Sequence, residues 1–192
     1  DSITVPDSLL TNDLQNAKKF KADITLYSFT RSKDKPNYST SFTFNHLQSE
    51  QDVVEDKFDL NVYFDKYYDA QFLGVDAKFK YIKNENLSDT LNNLYVDFNP
   101  WLGIFGKTWR IQIGLNSTYD EKIAEYHLYP NVKLHYNIAS FFLVPYVEVT
   151  GNYQLNTFDR ILDENYFILP KLSVKPTNNK IIVSGGLRGM VS

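Results

Sequence analysis

Cysteine is absent from the 192 residues, and no long apolar run is present. Without Cys the chain has no disulfide framework, no thiolate metal site and no cysteine nucleophile. Because no run of about 18 apolar residues occurs, a transmembrane helix is excluded. No apolar stretch near the start has the form of a signal peptide. Neither sign of charge dominates, the net charge being −3, so we expect no nucleic-acid partner.

What the sequence has in abundance is alternation of apolar and polar residues. This period of two is typical of strands with two different faces. The clearest segments are Lys57–Asp65, Gly74–Tyr81 and Trp109–Asn116. Together with weaker segments, one of which is 166–175, they predict about ten strands. Most are about 9–11 residues long, which is the length that a tilted strand needs to cross a bilayer. Helix is expected to be nearly absent.

The predicted connections alternate in length. Tight connections are expected at 33–36, 65–70, 137–140 and 175–179, and long polar ones at 46–56, 83–92, 118–125 and 153–165. Outer-membrane barrels have short periplasmic turns and longer outer loops. The sequence therefore predicts an all-β, up-and-down antiparallel transmembrane β-barrel over residues 18–192, preceded by a loop or lead-in segment at 1–17.

Aromatic residues cluster near the predicted strand ends. We interpret them as two girdles at the levels where amphipathic rings meet lipid headgroups. Members of the two sets include Tyr67, Tyr68, Trp101, Phe105 and Trp109 on one side, and Tyr119, Tyr126 and Tyr153 on the other. The alternative is a soluble β-sandwich that uses Tyr and Phe in its core and rim.

The alternating strands resemble those of Gram-negative outer-membrane β-barrels, especially the large TonB-dependent receptor-like barrels. The same three segments carry the resemblance, together with 129–136 (Tyr-Pro-Asn-Val-Lys-Leu-His-Tyr). The resemblance covers nearly all of the chain from about residue 18 onward and implies a barrel. No stretch of the sequence resembles the family's plug domain or its TonB-contacting box.

The predicted topology places the two ends of the chain. Because ten strands alternate in direction and the long links face outside, both ends would lie on the outer side. Complete barrels of the kind that this chain resembles keep both termini periplasmic, and their last strand commonly ends in an aromatic residue. We therefore expect these residues to be an internal piece of a larger barrel.

The polar faces of the predicted strands carry the candidate functional residues. If that face lines a lumen, the lumen is net basic and its mouth acidic, and charged rings of this type bias which ions pass. The alternative is that Lys and Asp merely neutralise one another across strands. The lumen-lining candidates are Lys57, Asp59, Asp76, Lys78, Lys80, Arg110, Lys133, Lys171 and Arg188.

Catalytic or metal-binding patterns are not recognisable. His127 and His135 share a strand face but are eight positions apart, too far to share an ion, and His46 lies near a loop. No Ser lies in a Gly-x-Ser-x-Gly motif. We expect no enzyme activity, no catalytic residue, no metal and no cofactor.

The sequence thus predicts a protein of the bacterial outer membrane for transport or reception of a polar solute, either TonB-dependent receptor-like or porin-like. Its expected partners are outer-membrane lipid, a small polar solute and, through the acidic outer loops, a partner protein. Two alternatives stay open. One is a structural or scaffolding barrel in a protein complex, and the other is a soluble carbohydrate-binding β-sandwich.

Overall fold

Nine antiparallel strands in sequence order form one sheet. The computed structural model describes residues 17–28, 35–49, 53–69, 71–86, 89–138, 143–164 and 175–189. The all-β, up-and-down architecture predicted from the alternation is therefore confirmed. The elements are β1 (Ala17–Tyr27), β2 (Asn37–Ser49), β3 (Val54–Tyr68), β4 (Gln71–Asn86), β5 (Asp89–Phe105), β6 (Trp109–Asp120), β7 (Glu125–Tyr136), β8 (Leu143–Gln154), a short helix α1 (Phe158–Glu164) and β9 (Thr177–Gly189).

The strands that the structure describes all belong to one sheet, which contradicts the β-sandwich alternative for this part of the chain, because a sandwich needs a second sheet stacked on the first. Within the described residues β1 and β9 do not pair with each other, so the sheet is open. Residues 165–174, which include most of the tenth strand expected at 166–175, lie outside the described part, as do residues 1–16 of the expected lead-in segment. Among the nine described strands, β1 begins at one rim and β9 ends at the other, so Ala17 and Gly189 lie at opposite rims and not on one side as expected.

The connections differ from the predicted alternation of short and long. We call the rim that carries the connections at 28–36, 69–70, 106–108 and 137–142 the lower rim, and the opposite one the upper rim. The four expected long links lie at the upper rim. Three of them are shorter than expected and cover only 50–53, 87–88 and 121–124. The strands, of 11 to 17 residues, extend into them. Only the β8–β9 link, 155–176, is long.

Side-chain bonds between neighbouring strands explain this extension toward the upper rim. Asn84 Nδ2 donates to Glu55 Oε2 across β4 and β3 at 3.2 Å. His46 Nδ1 lies 2.7 Å from Asp56 Oδ1 across β2 and β3. Polar residues that look like loop in the sequence are thus paired across strands, which supports the ladder beyond the apolar part of each strand.

The two faces of the sheet differ sharply, as the period of two requires. Large apolar side chains on one face, the apolar face, remain exposed; Ile24 is 65% exposed and Ile113 53%. The other, polar face carries most of the charged and amide side chains. The sheet curves toward the polar face, since one cavity on it is lined by residues from β4 to β9. Among the described helical residues none forms a segment long and apolar enough to cross a membrane.

The small hydrophobic core lies on the polar face at the upper rim. Phe158 and Leu162 of α1 pack there against Leu47 of β2 and Val53. Leu162 is fully buried. The helix is a feature that the sequence did not predict, because seven residues are too few to show a 3.6-residue period.

Buried polar bonds fix the start of α1. Thr157 caps the helix, its Oγ1 accepting from the Arg160 backbone N–H at 3.3 Å. Glu55 of β3, only 1% exposed, accepts from the N–H groups of Phe158 at 2.8 Å and Asp159 at 3.3 Å. A carboxylate there satisfies donors that a helix leaves free and meets the positive end of its dipole.

Two lysines complete the attachment of α1 to the first strands. Asp159 forms ion pairs with Lys57 of β3 and, at 2.9 Å, with Lys19 of β1. Asp163 also pairs with Lys19. Since α1 follows β8, these ion pairs tie the segment after β8 to β1 and β3 across the polar face.

The sheet is weakest between β7 and β8. Only four residue pairs join them, from Val132 opposite Val149 to His135 opposite Tyr146. Pro130 precedes that short ladder and has no N–H to donate. Beside it, Asn116 Nδ2 of β6 reaches past β7 to the Gly151 carbonyl oxygen at 3.0 Å. Side-chain bonding replaces backbone pairing where the two strands separate.

Truncation of the buried leucine should release α1. We expect Leu162→Ala to cost about 2–5 kcal/mol of docking free energy, because it leaves a cavity in a fully buried site. Hydrogen exchange at the Phe158 amide, bonded to Glu55, would measure the loss as faster exchange. Glu164→Ala, on the exposed side of α1, should cost less than about 0.5 kcal/mol. Equal effects of the two changes would contradict this packing.

Acid should also release α1. Burial alone would raise the pKa of Asp159, but the hydrogen bonds and charges of Lys19 and Lys57 hold it below its usual range. A lowered folded-state pKa stabilises docking above the unfolded value of about 3.9, and this contribution is lost as the pH falls through the folded value. The protection factor of the Phe158 amide, which compares its exchange rate with that of an unfolded chain at the same pH, should therefore fall below about pH 4. Asp159→Asn should flatten this dependence and Glu164→Gln should not; an unchanged profile in Asp159→Asn would contradict the assignment.

Candidate functional site

The eight lumen-lining candidates that the structure describes all lie on the polar face, but they do not form one site. Lys171 lies outside the described residues, and the other eight are distributed over β3 to β9. Three of them, Arg110, Lys133 and Arg188, line a single cavity. The role of these residues in a lumen stays a prediction.

The remaining described candidates are largely engaged by neighbours. Lys57 is paired with Asp159 of α1. Lys80 Nζ lies 3.9 Å from Asp97 Oδ2. Asp76 accepts a hydrogen bond from Trp101 Nε1 at 3.2 Å. Such pairing favours the neutralising alternative for this part of the polar face. Asp59 and Lys78 lie between these groups, opposite Lys80 and Asp97 respectively.

The cavity lies on the polar face near the lower rim and has a volume of about 440 Å³. One wall is aromatic and is built from Phe72 of β4 with Trp101 and Phe105 of β5. The facing wall is basic and polar. Besides the three cations it includes Gln112 of β6 and His135 of β7. Its size falls within the usual range of small-molecule sites.

Glycines on neighbouring strands make room for the aromatic wall. Gly74 lies opposite Trp101 in β4, and a Cβ there would come within 2.3 Å of the indole ring. Gly114 lies opposite Trp101 in β6, and its Cβ would approach the Trp101 Cβ at 2.8 Å. The indole therefore lies over Gly74 of β4, and it contacts Phe72 with 4.9 Å between ring centroids.

Two arginines of the cavity are stacked rather than paired. The Arg110 guanidinium lies over Phe105, 5.5 Å from the ring centroid. Arg188 lies over Tyr146 at 4.8 Å, and Tyr146 in turn covers Gly186, where a Cβ would meet its hydroxyl oxygen at 2.8 Å. Stacking holds a guanidinium by its face and leaves the N–H groups at its edge available.

A second polar cluster on the same face, at the upper rim, is closed by its own bonds. Asp120, 3% exposed, accepts from Tyr153 Oη and from Asn93 Nδ2, both at 2.9 Å. His127 stacks on Tyr153 with 4.2 Å between centroids. Tyr129 Oη donates to Asn178 Oδ1 at 3.0 Å. These bonds brace β5 to β9 and occupy most of the groups that a ligand would use, although the buried His127 Nε2 has no hydrogen-bond partner among the described residues.

Some acids expected in outer loops are also used within the chain. Glu55 holds α1, Asp56 lies beside His46, and Asp120 belongs to the upper cluster. Glu121 in the β6–β7 connection and Glu125 at the start of β7 are exposed. Binding of a partner protein through acidic loops stays a prediction.

The expected aromatic girdles need correction. Trp101, Phe105, Tyr67 and Tyr153 point to the polar face, since they share its register with Gly74, Arg110, Phe72 and Asp120. Tyr68, Trp109, Tyr119 and Tyr126 do lie on the apolar face. A signal for the aromatic wall was present in the sequence: in β5 the apolar-face residues Val96 and Phe98 are even-numbered, whereas Trp101 and Phe105 are odd-numbered.

The aromatic wall should depend on the space above β4. We expect Gly74→Ala to displace the Trp101 indole and to cost about 1–3 kcal/mol, because its methyl group overpacks against a ring held from both sides. Near-ultraviolet circular dichroism would detect the loss of ring order. Gly103→Ala is the matched control, since its Cβ would meet Phe72 Cβ at an ordinary 3.4 Å. An unchanged Gly74→Ala spectrum would contradict the close contact.

Comparison with known proteins supports the fold alone. No protein-family model matches the chain, and no curated protein does. Among solved structures, the chain is similar to the siderophore receptor PirA from Pseudomonas aeruginosa, with a TM-score of 0.61 and 10% identity. The similarity covers 77% of this chain and 30% of the PirA chain, so the chain spans less than a third of that receptor's length.

Proposed function

We propose that the chain forms part of the wall of an outer-membrane β-barrel that transports or receives a polar solute, of the TonB-dependent receptor-like type. One observation carries the proposal: the exposed apolar side chains form a band with polar borders. Soluble proteins rarely leave so large an apolar surface open. Hydrocarbon in contact with that face is the environment that suits it.

The borders of the band are clearest on β2 to β5. A polar row crosses the apolar face near the upper rim, where His46, Asp56, Lys83 and Asn92 are neighbours in register. Below that row every apolar-face residue of β3 is apolar until Lys66. Asp56 and Lys66 are ten positions apart, which at about 3.4 Å per residue and a tilt of about 40° is a rise of about 26 Å. The apolar band of outer-membrane barrels is about 25 Å tall.

The polar face would then contact water or protein inside the barrel. Its mixture of charged, amide and aromatic side chains is typical of a lumen along which a polar solute passes or binds. The structural neighbour PirA is a siderophore receptor, and reception of a solute by this chain is the corresponding role. The proposal requires the free edges of β1 and β9 to be paired in the membrane, because hydrocarbon offers no partner to backbone groups.

An arginine scan across the two faces tests the membrane assignment. We expect Leu60→Arg, in the middle of the band on β3, to cost about 2–4 kcal/mol when the protein is folded from urea into lipid vesicles. Asn61→Arg, its neighbour on the polar face, should cost less than about 1 kcal/mol, since it loses one hydrogen bond to Ser41. In water an exposed leucine replaced by arginine would cost almost nothing.

The same scan can overturn the proposal. If the intact protein folds in plain buffer without detergent and Leu60→Arg is no more harmful than Asn61→Arg, the apolar face does not contact lipid. Recovery of the protein in the inner-membrane or soluble fraction of a Gram-negative host would have the same consequence.

A further inference from the structure

We propose that the cavity at the lower rim is a binding site for an organic anion, a molecule that combines carboxylate groups with a flat apolar body. The inference names a class of solute and in that respect rests on the proposed function. The site itself requires only that the polar face be folded.

The first argument is an excess of positive charge. Arg110 lies opposite His135 in register, and Lys133 is its diagonal neighbour on β7, with Cβ atoms at about 7–8 Å in such pairs. In the described part of the chain no carboxylate lies within 4.0 Å of the charged nitrogens of Arg110, Lys133 or Arg188. Like charges placed so close together repel, and a bound anion would relieve that repulsion.

The acids that face this region do not cancel the excess. Glu148 of β8 lies opposite Lys133, but its Oε1 approaches His135 Nε2 at 4.0 Å. Asp76 is held by the Trp101 indole N–H. Among the described residues that face the cavity, two carboxylates therefore stand against three cations. Elsewhere on the face, Lys57 and Lys80 each have a carboxylate within 4.0 Å.

The second argument is the orientation of the guanidinium groups. Arg110 is stacked on Phe105 and Arg188 on Tyr146, so both planes are ordered before any ligand arrives. Their edges remain free to form the paired N–H···O bonds that match a carboxylate. Ordering in advance lowers the entropy that binding loses.

The third argument is the aromatic wall opposite the cations. Phe72, Trp101 and Phe105 present apolar surface to a cavity of about 440 Å³. An inorganic ion would leave that wall in contact with water. A planar ring fills the space beside it and gains stacking contacts while its carboxylates reach the arginines. The two walls together favour an aromatic dicarboxylate over a sugar or a metal ion.

Titration calorimetry of the intact protein in detergent micelles tests the site with naphthalene-2,6-dicarboxylate as the probe. We expect saturable binding that weakens as salt is raised, and at least tenfold weaker binding of the neutral naphthalene-2,6-dimethanol. Arg110→Gln and Arg188→Gln should each weaken the dicarboxylate about tenfold or more. Arg110→Lys should bind more tightly than Arg110→Gln but more weakly than the unchanged protein, because lysine keeps the charge and lacks the two parallel N–H donors of the guanidinium.

Lys78→Gln is the matched control, since it removes a polar-face cation that does not line the cavity. It should leave the affinity unchanged. The site is overturned if the neutral diol binds as tightly as the dicarboxylate, if Lys78→Gln weakens binding as much as the arginine variants, or if nothing binds to protein whose circular dichroism shows the folded sheet.

These outcomes separate the site from the proposed function. If the dicarboxylate does not bind but Leu60→Arg still destabilises the membrane-folded state, the anion site is refuted and the barrel proposal stands. If the dicarboxylate binds but Leu60→Arg has no effect on stability, the anion site stands and the barrel proposal is refuted.

Discussion

A one-layer sheet has no second layer to cover its apolar face, and this constraint governs the rest of the structure. Phe42, Leu60 and Ile113 stay exposed because the strands all belong to one sheet. In water such a surface would drive association, since burial contributes about 25 cal/mol for each Å² of apolar area. In hydrocarbon it needs no cover, and the polar side chains must then turn inward. The contrast between the two faces is thus the basis for both the membrane assignment and the site.

Turning polar groups inward creates its own requirement, since each must find a partner. At the upper rim the requirement is largely met within the chain, by Glu55 on the start of α1 and by Asp120 among Tyr153 and Asn93. At the lower rim the stacked arginines have no acid within ion-pair distance among the described residues. The two ends of the polar face are therefore chemically different. One is braced and closed, and the other can accept a ligand.

The sequence predicted what depends on local periodicity. The alternation in Lys57–Asp65 fixes which residues of β3 share a face, and the antiparallel order of the strands followed from it. It failed where distant contacts decide. The residues near 46–56 look like a loop in the sequence. Glu55 is nevertheless a strand residue, and its carboxylate accepts a hydrogen bond from the backbone N–H of Phe158, 103 positions away. The aromatic wall was missed because Trp101 and Phe105 were assigned by their place near a strand end rather than by their parity.

The attachment of α1 to β1–β3 also has a consequence for the order of assembly. Each hairpin can form from neighbours in sequence, but the bond between Glu55 and the Phe158 amide must close a loop of about a hundred residues. Such a closure costs conformational entropy that only later contacts return. Until β8 has paired, α1 cannot reach the first three strands, and the Glu55 carboxylate has no N–H donor from α1. A chain stalled before that point would leave Leu47 and Val53 without the cover of Phe158 and Leu162.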